Sequence, residues 1–262
     1  MIKILILGDI VGQRTVDLLE KELWGIRRRF GVDLVIANAE NASPGNGLSS
    51  TDARTLLECG VDVITSGNHI WKKPDLRNML DEDERILRPA NYPPQNPGHG
   101  YAIAAAAGWR VLVVNLLGQV YLEPLACPFD TLEKILRETE GKYDMSVVDI
   151  HAEATSEKAA IAYAFDGRVN AVVGTHTHVQ TADEKLFPLG TAFMTDLGMC
   201  GPDGGILGVG RDEVIKKLRT KLPVRFVPAE GEIILCGAMI YIDNNRTVKI
   251  ERIRLEPQNN EK

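Results

Sequence analysis

Five times along this 262-residue chain, a short apolar run stops at side chains able to hold a metal or carry a proton. IKILIL, at 2–7, leads to Asp9 in GDIVG; DLVIANAE ends at Glu40 and Asn41; DVITSGNH ends at Asn68 and His69. MSVVDIHAE reaches His151, and NAVVGTHTH reaches His176 and His178. Short unbroken apolar runs describe strands covered on both faces, as in sheets with helices packed against them. Open α/β sheets bind their ligands beyond the ends of such strands. The pattern therefore predicts an α/β protein whose site is assembled from strand ends.

Between these runs the spacing is helical: after GDIVG to about Phe30, near 51–59, near 130–139, and before NAVVG, where Thr155 or Ser156 is the expected N-cap. The opening is βαβαβ. GYAIAAAAGWRVLVVNLLG reads as two strands joined by a turn at Ala107 and Gly108, and 191–195 as a late strand. The last fifty residues carry three β-rich runs, beginning with LPVRFV and separated by Glu-Gly and Asn-Asn turns, so this end is expected to be antiparallel. With no internal repeat, low-complexity segment or linker, residues 1–262 read as a single domain.

Composition removes several classes. A hydrophobic content of 44% is enough for a sizeable core and excludes a disordered chain. IKILIL and VLVVNLLG are far shorter than the roughly 18 to 20 apolar residues of a membrane span, so no membrane partner is expected. The start of the chain has no basic segment, long apolar stretch or cleavage site of a signal peptide, which reads as a cytoplasmic protein. Cys59, Cys127, Cys200 and Cys236 form no CxxC pair and are expected to be reduced. Net charge is -6, and the one dense basic run, Arg27 to Arg29, falls on a helix and reads as a solvated face. Long nucleic acid, which binds through many clustered cations, is not an expected partner. A homo-oligomer remains open.

Taken singly, the polar residues have plainer readings. An Asp after a strand is usually a helix cap, an Asn or Glu there a turn residue, and a lone His a hydrogen-bonded structural residue. Joint occurrence changes this, because donors delivered from five strand ends can converge on one point. Asp9, Glu40, Asn41, Asn68, His151, His176 and His178 exceed what one ion with an open position would use. They suggest two metals bridged by Glu40, and imidazole beside carboxylate favours manganese, iron or zinc over magnesium. Two divalent ions, two carboxylates and a hydroxide leave a charge of about +1, which attracts a phosphate ester. In an extended segment residues two apart point the same way, so His176 and His178 could both face the site. The Gly-rich stretches ASPGNGLSS and DLGMCGPDGGILG read as connecting turns that could cap the pocket.

Asp9, then GNH at 67–69, then a single His151, then GxHxH at 174–178 resembles the order found in calcineurin-like metallophosphoesterases. The particular forms GDIVG, NAENA, SGNHIW, DIHAEATSEK and GTHTHVQTAD resemble the YmdB-like branch of that superfamily, over nearly the whole chain. The resemblance implies a four-layer αββα sandwich with two central mixed sheets. It also implies an iron- or manganese-dependent phosphodiesterase with two metal ions per chain, acting on small phosphodiesters, notably 2',3'-cyclic AMP. Val11 stands where the wider superfamily has the His of Asp-x-His, and Glu40 beside Asn41 where it has Asp. The branch pattern then implies Asp9, Glu40, Asn41 and His178 on one ion, and Glu40, Asn68, His151 and His176 on the other. His69 is left unliganded, its ring displaced from the metals, as a catalytic proton donor to the leaving alkoxide after attack by a bridging hydroxide.

Two other function classes deserve weighing. A regulatory protein that senses a nucleotide at the same centre would act through a partner contact rather than turnover. An amidohydrolase also carries His-x-His, but there the pair ends the first strand of a parallel barrel, whereas here it lies two thirds along a chain with an antiparallel end.

Overall fold

Strand alternation decides both what holds this protein together and where its polar residues gather. The computed structural model describes residues 1–256. In chain order the elements are β1 (Ile2–Leu7), β2 (Asp9–Ile10), α1 (Gln13–Phe30), β3 (Leu34–Asn38), α2 (Ser50–Glu58), β4 (Val63–Thr65), α3 (Leu76–Glu82), β5 (Tyr101–Ala106) and β6 (Trp109–Leu117). They continue with α4 (Pro128–Glu138), β7 (Met145–His151), α5 (Thr155–Ala164), β8 (Ala171–Thr175), β9 (Lys185–Leu186), β10 (Ala192–Met194), β11 (Met199–Pro202), α6 (Arg211–Thr220), β12 (Ile233–Asp243) and β13 (Arg246–Leu255).

One sheet runs β2-β11-β12-β1-β3-β4, with β13 paired to β12; the other runs β5-β6-β7-β8-β10-β9. Both are mixed. In the first, β1, β3 and β4 are parallel and β12 is antiparallel to β1, from Ile2 opposite Ile242 to Leu7 opposite Gly237. In the second, β6, β7, β8 and β10 are parallel while β5 and β9 are antiparallel edges.

Three apolar layers separate four structural ones, which is the expected αββα sandwich. Val16, Leu19, Leu23 and Ile26, spaced three and four apart on α1, meet Leu5, Leu7, Val35 and Ala37 of the first sheet. Ile4, Ile6, Leu34 and Ile36 meet Val111, Val113, Val147 and Val173 between the sheets. Leu112, Val114, Val148 and Ile150 meet Leu132 and Ile135 of α4 and Ile161 of α5. Gly31 ends α1 in the left-handed region, φ 62°, where a side chain would be strained.

Several expectations need correction. The N-cap of α5 is Ala154, with no side-chain cap; Thr155 and Ser156 are already inside the helix. LPVRFV is not a strand: Pro223 and Pro228 offer no backbone N–H to a ladder, and only a bridge between Val209 and Pro228 forms. The stretch 196–208 is more than a turn, because β11 lies within it and pairs in parallel with β2, Met199 opposite Asp9. Arg27 is not merely solvated: it donates to Gly60 O at 2.7 Å and pairs with Asp62 at 3.0 Å, joining α1 to the loop after α2. All four cysteines are free. Among the described residues no helix is long and apolar enough to cross a membrane.

Candidate metal centre

The space between the sheets is apolar at one end and polar at the other, and the change happens along single strands. Met145 and Val147 of β7 face the inter-sheet core. The next residues in the same phase are Asp149 and His151, fully buried and inside the polar end. Ala171 and Val173 of β8 give way to Thr175, Leu34 and Ile36 of β3 to Asn38, and Val63 of β4 to Thr65. The strand ends thus project their donors into one buried volume.

The seven expected ligands form a continuous cluster. Glu40, His151 and His176 each offer a ligand atom, all within 4.8 Å of one another. His151 Nε2 lies 3.2 Å from Glu40 Oε2, 3.2 Å from Asn68 Oδ1 and 3.0 Å from His176 Nδ1. Asn41 Nδ2 donates to Glu40 Oε1 at 2.8 Å and lies 3.2 Å from His178 Nε2. Asp9 Oδ2 accepts from the His176 backbone N–H at 3.0 Å.

Two expectations about the histidines change. His176 and His178 are not on an extended segment: β8 stops at Thr175, and their φ angles are 101° and 65°. The turn aims His176 at His151 and His178 at Asn41, so the pair diverges. The ring of His69 is not displaced from the cluster either, because its Nδ1 lies 2.9 Å from Asn41 Oδ1 and 3.1 Å from Glu40 Oε1. It directly follows Asn68, yet its backbone N–H donates to Glu40 Oε2 and draws it inward.

Electrostatics match a buried cation site. Burial pushes Asp9 up to about 6, against the pull of His178 and His151. Burial also opposes charge on Glu40 and on His151, but their mutual attraction wins: Glu40 is held well below the usual carboxylate range and His151 is raised to about 9. Burial and the charge of His151 lower His176 to about 4, so its ring is neutral, the form that ligates metals.

Two features test the fit to metal ions. Asp9 Oδ1 is buried without a hydrogen-bond partner among the described residues, and His151 Nδ1, at 3.7 Å, is beyond reach. Gly67 packs so closely that a Cβ there would strike Glu40 Oε2 and the His151 ring. An orphaned carboxylate oxygen, a kept-open space and an oxygen and imidazole donor set all fit divalent transition ions.

Glu40, Asn41, His176 and His178 of the cluster line a cavity of about 560 Å³, together with Ser43 to Asn46, His69, Leu207 and Phe226. Both Gly-rich stretches contribute to its lining. A cavity of about 680 Å³ beside α4 and β5 contains none of the clustered residues.

Behind the cluster lie residues that no sequence motif singles out. Thr175 Oγ1 donates to Asp149 Oδ1 at 2.8 Å, so toward His151 Nδ1, 2.9 Å away, it can only accept. Nδ1 therefore carries a proton whatever the charge of the ring, so Nε2, which faces Glu40, Asn68 and His176, is the nitrogen that would give up its proton to a metal ion. Thr65 and Asn38 also donate to Asp149, at 2.5 and 3.1 Å. One signal was available: Asp149 is a lone carboxylate in an apolar strand, in phase with His151. Glu153 Oε2, 3.0 Å from His176 Nε2, was missed as well.

Known proteins resemble this chain in both sequence and fold. The family described as YmdB-like protein matches residues 5–253. The chain is 43% identical to the 2',3'-cyclic-nucleotide 2'-phosphodiesterase of Bacillus subtilis, covering 96% of each chain. Its fold superposes on the crystal structure of a hypothetical protein from Thermus thermophilus with a TM-score of 0.91, at 38% identity over 97% of this chain and 99% of that one. A phosphatase from Mycoplasma pneumoniae gives a TM-score of 0.90, at 34% identity over 98% and 95%. Matched by the family over residues 5–253 and 43% identical to a relative along 96% of both chains, the chain belongs to the YmdB-like protein family.

Proposed function

We propose that this enzyme hydrolyses small phosphodiesters, with 2',3'-cyclic nucleotides as the substrate class, at a centre of two iron or manganese ions. The observation that carries the proposal is a buried cluster in which ligand atoms of Glu40, His151 and His176 lie within 4.8 Å of one another and Asp9 Oδ1 has no hydrogen-bond partner among the described residues, beside a cavity that Glu40, Asn41, His176 and His178 line. The name of the Bacillus subtilis relative supports the substrate class. Asp9, Glu40, Asn41 and His178 would hold one ion, and Glu40, Asn68, His151 and His176 the other, with Glu40 shared. Such ions act as Lewis acids toward a phosphate and make water nucleophilic near neutral pH.

The chain's own residues do the rest. Asp149 and Thr175 hold the His151 ring in one tautomer. His69 is fixed through Nδ1, which leaves its Nε2 to meet the substrate. As a water oxygen bonds to phosphorus and the P–O bond to one ribose oxygen breaks, that oxygen leaves as an alkoxide and takes the Nε2 proton of the His69 imidazolium, whose Nδ1–H stays on Glu40 and Asn41. Leu207 and Phe226 give the nucleoside an apolar surface at the mouth.

The test is a panel of 2',3'-cyclic AMP, bis(p-nitrophenyl) phosphate and phosphomonoesters, assayed with manganese or iron restored to stripped protein. The reading expects the two diesters to be turned over well above the monoesters. Equal or better turnover of monoesters would exclude a diester specialist.

A further inference from the structure

We infer that the buried Lys158–Asp196 ion pair is a positioning device for the metal centre, acting through Thr177, the residue between His176 and His178. Lys158 enters from α5 and is fully buried, and its Nζ donates to Asp196 Oδ2 at 2.7 Å. Its stem passes over Gly174, where a Cβ would meet Lys158 Cδ at 2.6 Å. The same Asp196 oxygen accepts from Thr177 N at 3.1 Å and from Thr177 Oγ1 at 2.8 Å. Asp196 Oδ1 accepts from Gly198 N at 2.8 Å, and Gly198 O accepts from Asp9 N at 3.0 Å. One carboxylate thus ties together the backbone of Asp9 and the turn that carries both histidines.

That turn needs fixing. His176 and His178 both have positive φ, 101° and 65°, a conformation that side-chain-bearing residues rarely adopt and that persists only where the surroundings hold it. The enforced turn is what separates the two rings toward different neighbours, His151 on one side and Asn41 on the other. A buried ion pair is poorly explained by stability alone, since well-packed apolar residues of similar volume do as well or better. Lys158 fixes Asp196, Asp196 fixes Thr177, and Thr177 directs two ligands.

This rests on the metal-centre reading, and the test separates the two. Chelator-stripped protein is titrated with Mn2+ by calorimetry, and its metal-free melting temperature is measured alongside. Thr177→Val, which loses the hydroxyl, should bind Mn2+ about tenfold or more weakly, while Thr177→Ser restores the affinity. The double variant Lys158→Met with Asp196→Leu should still fold, melting below the parent because Thr177 and Gly198 N lose their acceptor, and should bind Mn2+ weakly. Parent-like Mn2+ affinity in Thr177→Val would overturn the positioning role while leaving the centre intact. A parent that binds no Mn2+ removes both readings.

Discussion

Asp149 and His151 leave the same face of one strand two residues apart, and Thr175 joins them, donating to the carboxylate at 2.8 Å while accepting from the ring at 2.9 Å. Replacing Asp149 by Ala leaves Thr65, Thr175 and Asn38 without their shared acceptor in a fully buried place. The expected outcome is a stability loss of about 1–3 kcal/mol in denaturant titration. Metal affinity should fall about 10- to 100-fold, because the tautomer of His151 is no longer fixed. A variant that unfolds earlier but binds metal like the parent would limit Asp149 to a structural role.

Gly67→Ala should empty the site with little effect elsewhere. The added methyl points at Glu40 Oε2 and the His151 ring, where no larger group fits. Metal content should drop sharply while the far-ultraviolet circular dichroism stays parental. Full metal occupancy in this variant would contradict the packing at that point.

His69→Ala separates proton donation from metal holding. The variant should keep both ions and substrate binding while kcat falls by about 10² to 10⁴. The ring touches Glu40 and Asn41, so metal content must be measured beside kcat. A missing ion in the purified variant would make His69 a ligand.

Small diesters should be preferred to long polymers. The net charge is -6, and the cavity mouth is lined by Pro44, Leu207, Val227 and Phe226 rather than by rows of Lys and Arg. Comparable catalytic efficiency on a long RNA and on 2',3'-cyclic AMP would contradict this.

The βαβαβ opening was legible because Ile4, Ile6, Leu34 and Ile36 sit in strands covered on both faces, which write themselves as unbroken apolar runs. The seven candidate ligands were legible because each directly follows such a run. What stayed hidden depends on tertiary pairing. α6 has no buried residue, so no apolar stripe announces it. β11 exists only because β2 and β12 lie alongside it. The divergence of His176 and His178 depends on their positive φ angles, which Asp196 enforces from further along the chain. Asp149 was visible as a carboxylate in an apolar strand, but its partners Thr65 and Thr175 lie on other strands.

Hydrolysis at two ions sharing Glu40, as proposed, ties turnover to metal content. The most direct measurement is metal content per chain together with turnover of 2',3'-cyclic AMP, made on one sample before and after chelation, for the parent and for Glu40→Ala. About two transition-metal ions are expected in the parent, with turnover lost on chelation and regained with manganese or iron, and both ions lost together in Glu40→Ala. Undiminished turnover by fully stripped parent protein, or one ion held at full occupancy in Glu40→Ala, would contradict it.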